Sequence, residues 1–322
     1  MAKVKRSGIP PKHLRRGISV VVTVLNEEKT IKELLDVLVK FPAEIIIVDG
    51  GSSDQTPEII KKYSGVKLIC GKYNRSQGRN IGVAAAKGEI IAFTDAGCVP
   101  ERDWLKNLTK VFFEKLPSPK LGEGLGERYL GVECVSGYYK GLPQNIFEKC
   151  LVPYVLVMPD RIESEFLPST RSMAITKKLF LNSGGFDEKL WHNEDYAFAN
   201  KLKKMGVNFN FASQAIVGWL PSKDLKSAAW MFLRFAIGDA QAGIMRPKVK
   251  LLILRYYLFF FLVFIYLPFA ICLFVYLIWA VLKNYRYVKD VRALYWLPVL
   301  QLTADCMVIF GTVMGLLSRP KK

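Results

Sequence analysis

ISVVVTVLNEE (residues 18–28) and EIIIVDGGSSDQT (residues 44–56) share one design: a run of apolar, mostly β-branched residues that stops abruptly at polar and acidic ones. Such continuous runs, too short for helices and flanked by turn residues, read as strands buried on both faces, which is the habit of parallel sheets. The pattern recurs at Val66 to Cys70 and Glu89 to Thr94. Between the runs, Glu28 to Val39, Thr56 to Tyr63 and Ser76 to Ala86 place apolar residues at three- and four-residue spacing, as amphipathic helices do. Alternating strands and helices predict an α/β domain on a mostly parallel sheet. In open α/β sheets ligands lie beyond the carboxyl ends of the strands, so Asn26, Glu27, Asp49 and Asp95 become the first functional candidates.

Working toward the C-terminus, LPSPKLGEGLGER (116–128) reads as a surface loop, and strand-like sequence resumes at Tyr129. Glu194 to Met205 reads as a helix with acids at its start and Gly206 after its end. Asp224 to Ile244 reads as an amphipathic helix leading to a membrane, with an ordinary core-packing helix as the alternative. Tyr256 to Leu282 then runs 27 residues without a charge, and Ala293 to Leu317 runs 25 residues with one, Asp305. Both exceed the roughly 20 residues a membrane helix needs. The sequence therefore predicts a two-helix transmembrane hairpin, with Pro268 inside the first span. Asp305 implies a polar contact in the bundle or at a dimer interface, or a protonated group with a structural hydrogen bond.

Composition agrees with a globular part joined to a membrane part: of 322 residues 51% are hydrophobic and 23% charged. The net charge of +18 predicts phosphate-bearing partners. Nucleic acid is not expected among them, because no aromatic and basic RNA-binding motif accompanies the charge. Six cysteines form no C-x-x-C pair, which excludes a zinc ribbon and predicts reduced thiols; the basic N-terminal segment is followed by no cleavage site, so a secretory signal is not expected. Cations before the first span and after the second (Arg246, Lys248, Lys250, Arg255, Arg319, Lys321, Lys322) outnumber the four in the hairpin loop, which predicts both ends in the cytoplasm. The expected domains are a basic segment 1–17, a catalytic domain 18–221, a juxtamembrane helix 222–250, and 251–322 with two spans and a basic tail.

Five segments carry a resemblance in order. VVVTVLNEE (20–28), IIIVDGGSSDQT (45–56), GRNIGVAAAKGEIIAFTDAGCVPERDWL (78–105), SMAITKKLFLNSGGFDE (172–188) and NED (193–195) together resemble a family-2 glycosyltransferase of the GT-A, Rossmann-like fold, over about Ile18 to Gly206. The resemblance implies that Thr23, Glu27, Asp49, Arg79 and Asp95 hold a nucleotide-sugar donor. It also implies that Asp195 of the Glu194-Asp195 pair is the base taking the acceptor's proton. It implies a divalent cation, Mg²⁺ or Mn²⁺, at Asp95. Gly97 stands where the second acid of D-x-D would be, so that cation would rest on Asp95, water and donor phosphates, or bind weakly. Leu25 stands where an aromatic residue often precedes Asn-Glu. No Q-x-x-R-W follows the Glu-Asp pair, so transfer of a single sugar is expected rather than processive synthesis. The function so implied is a membrane-anchored inverting transferase acting on a lipid-linked or polyprenyl-phosphate acceptor, with its catalytic domain in the cytoplasm. The alternatives are a non-catalytic nucleotide-sugar-binding scaffold and a processive synthase.

Overall fold

A computed structural model of the chain describes residues 17–113, 132–162, 166–265 and 271–319. The basic segment before residue 17, the loop 116–128 and Pro268 lie outside the described residues. In chain order the first elements are β1 (Ile18–Val24), α1 (Ile31–Leu38), β2 (Glu44–Asp49), α2 (Thr56–Lys61), β3 (Val66–Cys70), α3 (Arg75–Ala85) and β4 (Ile90–Phe93). They continue with β5 (Cys98–Pro100), α4 (Trp104–Thr109), β6 (Cys134–Gly141), α5 (Ile146–Val155), β7 (Met173–Thr176), α6 (Lys177–Asn182), α7 (Glu194–Lys204) and β8 (Phe209–Trp219). The last four are α8 (Leu225–Gln241), α9 (Pro247–Ile265), α10 (Ile271–Val288) and α11 (Ala293–Leu317).

The chain divides into two compact units. One comprises Met1–Tyr139, Phe166–Phe186 and Ala199–Gly218; the other comprises Lys140–Glu165, Asp187–Phe198 and Trp219–Lys322.

The first unit is built on a mixed sheet in the order β3-β2-β1-β4-β7-β6-β8-β5. Its β3-β2-β1-β4 half is parallel, whereas β7 runs antiparallel to both β4 and β6. Val20 to Val22 and Ile46 to Val48 are buried on both faces, as their unbroken apolar runs require. Each such side chain taken fully out of water contributes about 1.5–3 kcal/mol. One covering helix is α1, which buries Ile31, Leu34, Leu35 and Leu38 at helical spacing. Another, α3, starts with a capping box between Asn74 and Gln77. Its Gly78 and Gly82 lie against β1, where an added Cβ would come 2.9 Å from Thr23 Cγ2 and within clashing distance of Val21. These two glycines seat α3 on the sheet, with Arg79 carried on the turn between them.

In the second unit α5, α8, α10 and α11 bury a common core that includes Phe147, Leu151, Phe232, Val288, Leu297 and Leu300. Helix α8 packs lengthwise on α11, whose Gly311 and Gly315 admit the Leu233 and Ile237 carbonyls; an added Cβ at either would stand 2.6 Å from that oxygen. The helix keeps Trp230 exposed.

One expectation is corrected here. The apolar run Tyr256 to Leu282 is not one straight helix, because α9 and α10 bring its two halves to the same residue of α11. Tyr256 Oη and Tyr276 Oη both donate to Asp305 Oδ2, at 2.9 and 2.7 Å. A continuous helix would hold residues twenty positions apart at about 30 Å from each other. The two described helices long and apolar enough to cross a membrane are Ile271–Val288 and Ala293–Leu317. Asp305 is buried at their contact with α9, and its Oδ1 also accepts from Gln301 Nε2. Its place is therefore within the bundle.

Candidate active site

The register of the parallel strands builds the first part of the site. Strand β1 lies between β2 and β4, with Val24 opposite Asp49 and Val21 opposite Phe93. The carboxyl ends of these three strands thus open on one edge of the sheet, where Glu27, Asp49 and Asp95 follow them.

The loops after β1 and β2 interlock. Asn26, at φ 55°, donates its N–H to Ser52 Oγ, and its Oδ1 accepts from Ser53 N. Glu27 N donates to Thr56 Oγ1, and the Glu27 carboxylate accepts from Thr30 Oγ1 at 2.6 Å. Asp54 accepts from Glu28 N and Thr56 N, which holds the start of α2 to the β1 loop. Asp49 is 2% exposed and turns back on its own loop, accepting from Gly51 N, Ser52 N and Ser52 Oγ. Gly51, at φ 99°, supplies the left-handed residue this turn needs. Asp49 therefore shapes the Gly-Gly-Ser-Ser turn through its carboxylate.

Asp95 lies at the centre of the cationic part. Arg79 Nη2 donates to its Oδ1 at 3.0 Å, and Thr170 Oγ1 donates to the same oxygen at 3.3 Å. The Arg79 side chain is 4% exposed, while that of Asp95 remains 33% exposed. Arg79 also rests on the Phe186 ring. Asn80 fixes that ring by pairing with the Phe186 backbone at both its N–H and C=O. Burial raises the Asp95 pKa, but the guanidinium of Arg79, then those of Arg171 and Arg75, more than offset it and hold the carboxyl below its usual range. Burial beside Asp95 pushes the Cys98 thiol up to about 12, which leaves it protonated and unreactive.

Thr170, Arg171 and Arg75 were not singled out in the sequence. The antiparallel pairing of Phe93 with Met173 brings the residues before β7 alongside those after β4. No local pattern announces that register.

As for a divalent cation, Asp95 is the carboxylate the D-x-D position supplies, and one of its oxygens already accepts from Arg79 and Thr170. Among the described residues no group of three His, Cys, Asp or Glu side chains converges. Among the described residues, a cation at this position would therefore draw on the Asp95 carboxylate, with water and donor phosphates for the rest. A Cβ at Gly97 would meet nothing within 4 Å, so the position has room for a side chain.

Glu194 and Asp195 begin α7 and belong to the second unit there. Glu194 is buried, and Asp195 Oδ1 accepts from Tyr196 N at 2.8 Å. Their neighbours are held firmly. Asn193, at φ 55°, donates through Nδ2 to Phe235 O and Asp239 Oδ1. Arg246 pairs in bidentate fashion with Asp239 and lies 3.9 Å over the Tyr196 ring. Gly238 lets α8 approach the His192 carbonyl more closely than any Cβ would permit.

Residues 19–116 match the family model described as glycosyl transferase family 2. The matching stretch, β1 through α4, resembles a family-2 glycosyltransferase domain. The first unit is a Rossmann-like mixed α/β sheet domain. Over 194 residues, 57% of its length, the chain is 30% identical to the poly(ribitol-phosphate) beta-N-acetylglucosaminyltransferase TarS of Staphylococcus aureus, covering 32% of that protein. Over 241 residues, 64% of its length, it is 30% identical to the hyaluronan synthase of Pasteurella multocida, covering 24% of it. The chain thus spans about a quarter to a third of the length of these curated relatives. A crystal structure of S. aureus TarS 1-349 superposes with a TM-score of 0.48 at 20% identity, over 94% of this chain and 90% of that one.

Proposed function

We propose that the protein is a membrane-anchored inverting glycosyltransferase that moves a single sugar from a nucleotide-sugar donor to a lipid-linked acceptor, polyprenyl phosphate included. The observation that carries this reading is the clustering of Glu27, Asp49, Arg79 and Asp95 at one edge of a family-2 sheet, with Thr23 in β1 behind α3. In an open α/β sheet that edge is where a nucleotide docks. The donor's diphosphate faces a site whose outer cations are the exposed Arg75 and the half-buried Arg171, while Arg79 holds the Asp95 carboxylate in place.

The reaction forms a bond between the acceptor oxygen and the anomeric carbon and breaks the bond from that carbon to the diphosphate. The acceptor's proton passes to Asp195 where the acceptor is a hydroxyl. A phosphate acceptor is already largely ionised near neutral pH, since its second pKa is about 6. Charge grows on the departing nucleoside diphosphate, and fixed guanidiniums stabilise it most because they need not reorganise. Helices α10 and α11 would anchor the enzyme, with the catalytic domain on the cytoplasmic side where nucleotide sugars are made.

A donor panel supplied with native lipid extract tests the reading. Nucleoside diphosphate release with one added sugar on a lipid product is expected, and Asp195→Asn should remove it while donor binding persists. Donor binding without turnover on any lipid would favour the scaffold reading, which Gly97 motivates; products carrying several added sugars would favour a processive synthase.

A further inference from the structure

Helices α9 and α10 meet at Tyr276. Arg255 of α9 sits over the Tyr276 ring of α10, 4.4 Å from its centroid. The charges of Arg161, Lys248 and Arg255 all bear on the Lys283 ammonium. Tyr276 stacks on Trp279, and Lys283 Nζ lies 4.8 Å over the Trp279 ring. Arg161 donates to the Lys283 carbonyl at 3.4 Å.

Four cations thus gather around the Tyr276 and Trp279 rings, and the single charge of Asp305 offsets only part of theirs. Asp305 accepts from Tyr256, Tyr276 and Gln301, and Asp160 accepts from Tyr287 and pairs with Arg286. Among the described residues none of the four cations makes an ion pair. Like charges held together in this way lower their repulsion when an anion sits among them. The neighbouring positions of the two helices are apolar and open: Leu251, Leu258, Trp279 and Leu282 are all exposed. Cations beside exposed apolar and aromatic side chains match a ligand that is anionic at one end and hydrocarbon at the other.

We propose that Lys248, Arg255, Lys283 and Arg161 form a binding site for the phosphate headgroup of a membrane lipid. The site rests on the reading of α10 and α11 as membrane helices, and it requires no glycosyl transfer.

The full-length chain in phosphatidylcholine nanodiscs is titrated with farnesyl phosphate, farnesol and inorganic phosphate. Farnesyl phosphate should bind at least tenfold more tightly than either of the others. Arg255→Gln with Lys283→Gln should weaken it at least tenfold, and Lys250→Gln on the same helix should leave it unchanged. Should the double variant lose its wild-type melting temperature, Lys283→Gln alone is used, with a loss of at least threefold expected. Wild-type affinity in a folded variant overturns the site. Equal binding of farnesol reduces it to an apolar groove, and equal binding of inorganic phosphate makes the ligand a free anion; either result overturns the proposal. Failure of the membrane reading shows separately, as a chain that stays monodisperse without detergent or lipid.

Discussion

Restoring the missing acid of D-x-D tests how the donor site handles a cation. Gly97 lies inside the turn closed by Cys98 N donating to Asp95 O at 3.1 Å, its φ is not left-handed, and a Cβ there meets nothing within 4 Å. Gly97→Asp should therefore fold. Its carboxylate stands two residues from that of Asp95, with Cα atoms at most about 7 Å apart. At about 6 Å and an effective dielectric of 40 to 80 the two repel by roughly 1 kcal/mol. The lost glycine freedom in the unfolded chain returns about 0.4–1 kcal/mol. Without a cation the melting temperature should consequently stay within about 4 °C of wild type. With Mn²⁺ and a nucleoside diphosphate the balance reverses, since two carboxylates then face one cation. A tenfold gain in Mn²⁺ affinity is expected. At Mn²⁺ equal to about 100 times the variant's Kd the variant gains about 2.7 kcal/mol and the wild type about 1.4. The difference, about 1.3 kcal/mol, is worth about 3–5 °C in a domain of this size. Calorimetric titration and thermal melting read both quantities. Equal Mn²⁺ affinity in the two proteins would refute the reasoning, and so would a gain that survives Asp95→Asn in the Gly97→Asp background.

The Arg79–Asp95 pair predicts an asymmetry. Asp95→Asn takes away the carboxylate that a nearly buried guanidinium faces and should cost about 2–3 kcal/mol, whereas Arg79→Met leaves Asp95 part-exposed with Thr170, Arg171 and Arg75 and should cost about 1 kcal/mol. Because the folded carboxyl lies below its unfolded value, its contribution is complete above about pH 4 and fades as pH falls through the depressed value; Asp95→Asn should flatten that acid slope in thermal melts. Arg246 and Asp239 hold Asn193 and Tyr196 on either side of Asp195, so Arg246→Gln should lower kcat at least tenfold with the donor KM within twofold, and Arg246→Lys should recover only part; a change confined to the donor KM would refute this. Gly315→Val drives a side chain into the Ile237 carbonyl and should cost about 1–3 kcal/mol, read as a lower melting temperature of the helical unit.

The first half of the site was legible because its logic is local. A buried strand ending in Asn-Glu, in Asp-Gly-Gly or in Thr-Asp tells where the sheet's edge lies, and the helix after each strand carries its own spacing and caps. Arg79, Asn80 and Gly82 form one such local unit: the guanidinium on Asp95, the amide locking Phe186, and the glycine seating the helix. Thr170 and Arg171 were illegible for the opposite reason. They reach Asp95 across a pairing between segments about eighty residues apart in the chain, and antiparallel register depends on which strand inserts beside β4 rather than on the residues around Arg171. Asp49 was legible as to place but not as to partner, since no spacing rule tells a carboxylate facing a ligand from one that closes its own turn.

The C-terminal helices show the same limit from the side of hydropathy. An apolar run reports which solvent a segment tolerates; it carries nothing on the direction of the chain through that solvent. Tyr256 and Tyr276 both fall within one uncharged run, yet they meet at a single carboxylate oxygen. What sets their positions is Asp305, which lies in another helix and is costly to bury without donors. Two phenol hydroxyls and one amide supply those donors, so the polar residue that looked like a defect in the second apolar run fixes the register of all three helices. That meeting point is also where Arg255 comes over the Tyr276 ring. If Asp305→Leu left the three helices packed as before, the hub would be incidental; loss of farnesyl phosphate binding in Asp305→Leu, with its recovery in Asp305→Asn, which keeps an acceptor for the phenols, would tie the headgroup site to the carboxylate that organises it.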